Sequence, residues 1–183
     1  MAQNRPPILA VLAPPDDELL GCGATLLKWK DAGHPIHVAF GGFGRVGSTQ
    51  ARDAVRVADQ AGWHVIWGDF TDNAFGPLHE LTEWVEGIVQ KVKPWRVIGH
   101  NAGDLNQDHR ILAEATRIAC RPYLLFAPKE LWACEVAGGT LTPFWSSIFF
   151  DASAHPTSSL ALHPAPHRGR SSSPLPERRR HRR

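Results

Sequence analysis

Short apolar runs alternate along the chain with segments whose apolar residues recur every three or four positions. Four runs have the length and composition of buried strands, at residues 8–13, 36–41, 64–67 and 96–99. Segments with helical spacing follow them at residues 17–32, 49–61, 78–92 and 108–120. The last of these is expected to end before Pro122, because proline lacks the backbone N–H that a helix needs. Two further strands are predicted at residues 130–136 and 147–150.

Strands that alternate with helices of about a dozen residues predict right-handed β-α-β crossovers and a mostly parallel sheet. We therefore expect an α/β fold, specifically a Rossmann-like three-layer sandwich. In the usual strand order of 3-2-1-4-5, the first and fourth strands are neighbours. Ligands of such sheets bind in the crevice at the carboxyl ends of those two strands.

Polar clusters follow the two strands that border this crevice. Asp16, Asp17 and Glu18 follow the first strand, and the segment HNAGDLNQDHR, residues 100–110, follows the fourth. Adjacent carboxylates raise one another's pKa unless a cation or hydrogen-bond donors share the site. Carboxylates and imidazoles are ligands of hard and borderline divalent metals, so the topology predicts one metal site built from both clusters.

Each cluster also has a structural interpretation. The three acidic residues could serve only to start a helix, where negative charge is favoured. Asp108 could be the N-cap of the helix that it opens, and His109 could be a surface residue of that helix. His100 lies at a strand end, where a histidine is more often a hydrogen-bonded structural residue than a ligand.

Composition divides the chain into a domain at residues 1–151 and a tail at residues 152–183. With 183 residues and 43% hydrophobic content, the chain can form one full core. The tail holds seven Arg, five Pro and six Ser but a single Glu. It is therefore expected to be disordered, because it has too little apolar surface to offset the entropy of ordering. A nucleic-acid-binding arm is the alternative, although a solvated tail fits better.

Cysteine usage and hydropathy predict a cytoplasmic protein. Cys22, Cys120 and Cys134 are far apart and odd in number, so neither a disulfide framework nor a cysteine zinc site is indicated. No apolar run approaches the roughly 18 residues of a membrane span. The first residues lack the apolar region of a signal peptide.

The two clusters together resemble a known family. Pro15-Asp16-Asp17-Glu18, followed by Gly21-Cys22-Gly23, and the later segment Asp-Leu-Asn-Gln-Asp-His-Arg are similar to motifs of the PIG-L/LmbE-like N-acetylglucosaminyl deacetylases. The resemblance covers residues 8–151. It implies a zinc-dependent N-deacetylase, using Zn²⁺ or another divalent metal, that acts on a small N-acetylated, amino-sugar-like compound.

The resemblance also implies roles for individual residues. Asp17 and His109 match metal ligands, and Asp16 matches the general base that takes a proton from water and later protonates the leaving amine. Asn106 stands where many members have a histidine that stabilises the oxyanion. Arg45, in a loop that borders the substrate site, is expected to contact polar sugar groups.

One departure from the family concerns the metal. The family has Ala-His-Pro-Asp-Asp, whereas this chain has Ala13-Pro14-Pro15-Asp16-Asp17, so the first histidine ligand is missing. Weak zinc binding is still expected, with Asp16 or Asp104 as a substitute ligand, and activity is expected to be impaired. A catalytically inactive binding protein on the same fold is the alternative. The basic tail, which replaces the family's final segment, favours that alternative and leaves pairing with a second copy open.

A third class of function comes from Gly42-Phe43-Gly44-Arg45-Val46-Gly47. This G-x-G-x-x-G sequence follows the second predicted strand, and Asp69 lies about 20 residues beyond it, as in dinucleotide-binding proteins. That fingerprint usually follows the first strand, and a dinucleotide site would leave both polar clusters unexplained. We therefore regard the motif as a Gly-rich loop beside the crevice, and an oxidoreductase as the weakest alternative.

Overall fold

A computed structural model describes residues 5–136 of the chain. Its five strands are β1 (Ile8–Leu12), β2 (Ile36–Phe40), β3 (His64–Trp67), β4 (Arg96–His100) and β5 (Glu130–Cys134). All neighbouring strands are parallel, in the order β3-β2-β1-β4-β5. The helices are α1 (Gly23–Asp31), α2 (Gln50–Ala61), α3 (Leu78–Val92) and α4 (Gln107–Ala119). The predicted fold class and strand order are confirmed.

The central strand β1 shows why this is a three-layer structure. All five of its residues are buried, and alternate side chains point to opposite faces of the sheet. Ile8, Ala10 and Leu12 pack with residues of α1 and α2 in one core cluster. Leu9 and Val11 pack with residues of α3 and α4 in the other. A strand covered on both faces reads as a continuous apolar run, which is the pattern that predicted it.

The segment that links β1 to α1 differs from the single helix predicted at residues 17–32. Residues Glu18–Cys22 form a π-helical turn, and the regular helix starts only at Gly23. Single π-helical turns occur often at functional sites. This one begins directly after Asp16 and Asp17, in the segment that follows β1.

Other boundaries differ by one or two residues. β4 extends to His100, and β5 ends at Cys134. The N-cap of α4 is Asn106, whose side chain accepts a hydrogen bond from the Asp108 N–H at 2.8 Å, so the expectation that Asp108 is the cap is wrong. Asp108 is a poor candidate for that position because its carboxylate accepts backbone N–H groups of the loop after β3.

Some predictions lie outside the described residues. These are the strand at 147–150, the domain boundary at 151 and the disordered tail at 152–183. Between residues 5 and 136, no helix is long and apolar enough to span a membrane.

Candidate metal centre

The carboxyl ends of β1 and β4 bring three titratable side chains together. Asp17, His100 and His109 each place one donor atom within 4.8 Å of the others, and this is the metal-competent group found among residues 5–136. Asp17 Oδ2 lies 2.9 Å from His109 Nε2 and 3.7 Å from His100 Nε2. The three residues are 4%, 4% and 5% exposed, in chain order. The crevice predicted from strand order therefore contains a buried donor cluster.

Polar atoms of this cluster are buried without hydrogen-bond partners in the described part of the chain. They are Asp17 Oδ2, His109 Nε2 and His100 Nδ1. The 2.9 Å contact between Asp17 and His109 does not have the geometry of a hydrogen bond. Leaving a buried polar atom unsatisfied costs about 1–3 kcal/mol. A cation bound between the oxygen and the imidazole nitrogens would remove that cost for the atoms that face it.

The spacing and chemistry of the donors fit a divalent metal. Zinc binds imidazole nitrogen and carboxylate oxygen at about 2.0–2.2 Å, which puts ligand atoms of a tetrahedral site roughly 3.4 Å apart. The distances of 2.9 Å and 3.7 Å from Asp17 Oδ2 lie on either side of that value. The residues present are therefore suited to a zinc-like ion.

The orientation of His109 is fixed by a second carboxylate. His109 Nδ1 lies 2.9 Å from Asp104 Oδ2, and the other oxygen of Asp104 accepts the Asn106 N–H at 2.8 Å. With Nδ1 protonated toward Asp104, Nε2 carries the lone pair that faces Asp17. A carboxylate behind the histidine is the usual arrangement around protein metal ions. Asp104 is therefore better placed to orient His109 than to be the substitute ligand expected from the sequence.

The pKa values follow from burial and from these contacts. Burial raises the pKa of Asp17, and the neighbouring His109 only partly opposes that effect. Burial by itself would lower the pKa of His109, but the contacts with Asp17 and Asp104 outweigh it and raise the value. Burial lowers the pKa of His100 to about 3, so this imidazole is neutral.

His100 has two sets of neighbours. Its Nε2 accepts the Ala13 N–H at 2.9 Å, which agrees with the structural role expected of a histidine at a strand end. Its ring also stacks on that of His109, with centroids 3.9 Å apart and planes 10° apart. His100 was not among the metal residues expected from the sequence. The available signal was its position at the end of the strand that neighbours β1.

Asp16 lies outside the donor cluster, although it is the neighbour of Asp17. Its side chain is exposed, and its backbone has a φ of 131°, which is strained for any residue but glycine. The Asp16 N–H donates to Glu18 Oε2 at 2.8 Å, which holds the backbone in that conformation. Burial raises the pKa of Glu18 to about 7. The two aspartates therefore differ in environment, one buried among imidazoles and the other open to solvent.

A polar cavity of about 350 Å³ lies at the same edge of the sheet as the cluster. Its lining residues come from the loops after β1, β2, β3 and β4 and from the start of α2, and they are Pro14, Arg45, Ser48, Gln50, Asp72, Asn73 and Asn106. This volume is at the lower end of the range for ligand pockets. Two residues singled out from the sequence, Arg45 and Asn106, lie on this cavity.

Gln50 connects the loop that carries Arg45 to Asp16. Its side-chain nitrogen donates to Asp16 Oδ2 at 3.0 Å, and its side-chain oxygen accepts from the Arg45 N–H and from Ser48 Oγ, both at 3.0 Å. Gly44 has a φ of +81°, and a Cβ there would meet Gln50 Oε1 at 2.5 Å. This connection was not apparent from the sequence, because it joins residues 34 positions apart.

Two glycines of the G-x-G-x-x-G segment, Gly42 and Gly44, are accounted for by packing inside the protein. A Cβ on Gly42 would lie 2.3 Å from the backbone oxygen of Phe70, and Gly44 leaves room for Gln50. The loop therefore has a structural reason for two of its glycines that does not involve a dinucleotide.

Asp108 fixes another wall of the cavity. Its carboxylate accepts the backbone N–H groups of Asn73 at 2.6 Å and of Phe75 at 3.1 Å, and the residue is 2% exposed. Gln107 also donates to the Asn73 carbonyl. Asp108 thus holds the loop after β3 against α4, a role that sequence spacing did not reveal.

Comparisons with known proteins agree with this architecture. Residues 9–120 match the model of the PIG-L family, described as GlcNAc-PI de-N-acetylase. The chain is 31% identical over 134 residues to the uncharacterized deacetylase YaiS of Escherichia coli, a match that covers 66% of this chain and 71% of that protein.

Solved structures share the fold at low sequence identity. The conserved protein TT1542 from Thermus thermophilus has a TM-score of 0.75 at 19% identity, over 86% of this chain and 78% of that one. N,N'-diacetylchitobiose deacetylase from Pyrococcus horikoshii has a TM-score of 0.53 at 18% identity, over 62% and 48%. GalB, the 4-carboxy-2-hydroxymuconate hydratase of Pseudomonas putida KT2440, has a TM-score of 0.56 at 20% identity, over 63% and 55%. The fold thus occurs in a deacetylase of an acetylated sugar and in a hydratase.

Proposed function

The chain belongs to the PIG-L family, and from this premise we propose that it removes the acetyl group from a small N-acetylated, sugar-like compound with the help of a divalent metal. The observation that carries the proposal is the buried pair Asp17 and His109, whose facing atoms have no hydrogen-bond partners among residues 5–136. A polar cavity lined by Pro14 and Asn106, which belong to the segments that carry this pair, lies at the same edge of the sheet. GalB shows that the fold also supports hydration, so the reaction is inferred from the family and the site rather than from the fold.

Asp17 and His109 are the proposed metal ligands, with Zn²⁺ as the first candidate and another divalent metal as the second. Carboxylate oxygen and imidazole nitrogen suit zinc, and Asp104 lies 2.9 Å from His109 Nδ1, where it favours the tautomer that leaves Nε2 free to bind a metal. When bound, such an ion lowers the pKa of water and polarises the amide carbonyl.

Asp16 is the proposed general base. It is exposed and lies outside the donor cluster, so its carboxylate can accept a proton from the attacking water and later deliver it to the leaving amine. The hydrogen bond from Gln50 restrains the side chain. The strained backbone at this residue is consistent with a functional constraint on its position.

Asn106 and Arg45 are the proposed substrate contacts. The side-chain oxygen of Asn106 is occupied by the Asp108 N–H, so its NH₂ group is what remains to donate to the oxygen of the acetyl carbonyl. Such a donor stabilises negative charge as it develops in the transition state, without transferring a proton. Arg45 lines the same cavity and is suited to the hydroxyl groups of a sugar-like compound.

A binding protein without hydrolytic activity is the second candidate, and Pro14 is the observation that favours it. Proline has no side-chain donor atom, so the position where the family has a histidine ligand cannot bind a metal here. This candidate predicts that the cavity binds N-acetylated compounds and that no amine is released.

The test is a comparison of metal content and amine release in one preparation. Full-length protein would be stripped with a chelator, reloaded with Zn²⁺, analysed by elemental analysis and assayed with N-acetylglucosamine derivatives. We expect about one zinc per chain and amine release that depends on it, and both should be lost in Asp17→Asn. His79→Gln changes an exposed histidine on α3 and is the matched control. Equal amine release from stripped and reloaded protein would contradict the proposal.

A further inference from the structure

Two of the three cysteines lie against each other in the core. All three are free and buried, with Cys22 6%, Cys120 8% and Cys134 9% exposed. Cys22 and Cys134 belong to the core cluster on the face of the sheet that α1 and α2 cover, where their thiols hydrogen-bond with each other. Cys120 belongs to the cluster on the opposite face. Spacing along the chain did not indicate this pair, because its members come from the turn after β1 and from β5.

The backbone of that turn approaches Cys134 closely because Gly21 has no side chain. A Cβ at Gly21 would lie 3.0 Å from Cys134 Sγ and 3.6 Å from Cys134 Cβ. Cys22 is the next residue and ends the π-helical turn Glu18–Cys22, and Cys134 ends β5. The Cβ atoms of two disulfide-bonded cysteines are typically about 3.5–4.5 Å apart. The turn therefore passes Cys134 at the close range that a disulfide needs.

We propose that Cys22 and Cys134 form a site of reversible oxidation, at which hydrogen peroxide converts the two thiols into an intramolecular disulfide. The inference is independent of the proposed deacetylase function, because it uses no metal, substrate or cavity residue. Cys22 lies at the far end of the turn that begins directly after Asp17. The disulfide would tie that turn to β5.

The reaction consumes one hydrogen peroxide for each pair of thiols. The sulfur of one cysteine attacks a peroxide oxygen, the O–O bond breaks, and a sulfenic acid and one water form. The neighbouring thiol then attacks the sulfenic sulfur, so that an S–S bond forms, the S–O bond breaks and a second water leaves with the thiol proton. Two thiols are oxidised, and one peroxide is reduced to two waters. A dithiol reductant reverses the reaction by thiol–disulfide exchange.

Burial makes the first of these steps the slow one. The Cys134 thiol and burial raise the pKa of Cys22, so little of the reactive thiolate is present at neutral pH. A small uncharged oxidant such as hydrogen peroxide is therefore favoured over a charged disulfide, which does not enter a packed core. The second step is fast, because the partner thiol is already in contact with the sulfur that it attacks.

Cys120 is a matched control within the same chain. It is as buried as the pair, and burial raises its pKa to about 12. The sheet separates it from Cys22 and Cys134, so a sulfenic acid formed at Cys120 has neither of the other two thiols within reach. A difference between the pair and Cys120 under one treatment therefore reports contact between thiols rather than burial.

The experiment treats the full chain with hydrogen peroxide and then maps its cysteines. Free thiols are counted after the peroxide has been removed and the protein unfolded, and mass spectrometry of an unreduced digest identifies linked peptides. We expect two of the three thiols to be lost, the mass to fall by two hydrogen atoms, and one linked peptide to join Cys22 to Cys134. A reductant should restore all three thiols. In protein oxidised while unfolded, this link should lose its preference over links that include Cys120.

Two variants test the assignment further. Cys120→Ser should form the same disulfide at the wild-type rate. Cys22→Ser, whose two remaining thiols lie on opposite faces of the sheet, should form no intramolecular disulfide. The proposal is overturned if the wild type keeps all three thiols, gains oxygen without losing hydrogen, or links Cys120 as often when folded as when unfolded.

Denaturant unfolding tests whether the bond fits the native fold, with Cys120→Ser as the protein so that no other pair forms. The oxidised form should unfold at a higher denaturant concentration than the reduced form, because the bond restricts the unfolded chain more than the folded one. A lower midpoint would mean that Cys22 and Cys134 leave their native positions to react, and it would overturn the proposal.

Discussion

The two ends of strand β4 each bury a polar side chain, but they differ in how completely that side chain is paired. At the amino end, Arg96 is 8% exposed and donates from Nε and Nη2 to one oxygen of Glu130, at 2.8 Å and 2.6 Å. Its guanidinium also lies 3.6 Å from the ring centroid of Trp132. At the carboxyl end, His100 is 4% exposed, and its Nδ1 has no partner in the part of the chain that the structure describes. Three residues of one strand separate the two environments.

This difference in pairing indicates a different role for each end of the strand. A buried charge with a carboxylate partner and aromatic faces around it is a completed structural interaction. A cluster with buried polar atoms left unpartnered by the described residues is incomplete without a further group. The sequence marks both ends in the same way, as a polar residue beside the apolar run Val-Ile-Gly. Only the partners distinguish the end with a completed structural interaction from the end that we propose to be functional.

The largest effect is expected from Asp17→Asn, which removes a carboxylate from the cluster at the carboxyl end of β4. Zinc affinity should fall by more than about 100-fold, since a direct ligand is lost. The metal-free protein should be as stable as the wild type or more so, because burial raises the pKa of Asp17 and thereby makes its ionised form unfavourable at neutral pH. Zinc titration and thermal melting of stripped protein measure the two effects. A large drop in metal-free stability would mean that Asp17 is a structural partner like Glu130.

Asp16→Asn should have the next largest effect, and on turnover alone. Amine release should fall by about 10²–10⁴-fold, because an amide cannot accept a proton from water. Zinc content should stay at the wild-type level, since Asp16 lies outside the donor cluster. Turnover and elemental analysis of the same sample give both values. If Asp16→Asn lost zinc and Asp17→Asn retained it, Asp16 would be the metal ligand and Asp17 the general base.

Arg96→Met tests the amino end and should reduce stability without affecting the metal. We expect the free energy of unfolding to fall by about 2–3 kcal/mol, less than the roughly 3–5 kcal/mol found when a fully buried pair is broken. The effect is smaller because the Glu130 side chain is 36% exposed and can be hydrated once alone. Denaturant unfolding measures it.

Arg117→Met is the matched control for Arg96→Met. Arg117 pairs with Glu114 on the surface, with side chains 63% and 46% exposed, and such pairs contribute about 0–1 kcal/mol. If both variants lose equal stability, the burial of Arg96 is not what makes its interaction important. A change in zinc affinity with Arg96→Met would mean that the two ends of β4 are coupled.

The smallest effect is expected from Gln50→Ala, which tests how the residues around the carboxyl end of β4 are positioned. Gln50 restrains Asp16 and the loop that carries Arg45, so its loss should lower kcat about tenfold, less than the roughly 100-fold caused by a 1 Å misplacement. Zinc affinity should be unchanged, and Gln90→Ala on α3 should leave kcat at the wild-type value. If zinc affinity fell as much as kcat, Gln50 would support the metal site rather than the general base Asp16.

The sequence by itself determined the fold and which segments meet at the proposed site. Apolar runs of strand length and helices between them leave a parallel sheet as the favourable arrangement, because every strand must bury both faces. The carboxyl ends of parallel strands share one edge, so the residues after β1 and β4 had to meet there. The motifs around Asp17 and His109 also identified the family, because each motif lies within a short continuous segment of the sequence.

Only the tertiary structure decided which partner each buried polar group has. Gln50 and Asp16 are 34 positions apart, and Ala13 and His100 are 87 apart. An imidazole at a strand end can accept a backbone N–H or bind a metal. Differences of about 1 Å in the distances between elements decide which of the two it does. Residue spacing along the chain does not specify such distances. They are set by how helices and loops pack on the sheet, and among the described residues that packing gives Arg96 a full set of partners and leaves His100 without one at Nδ1.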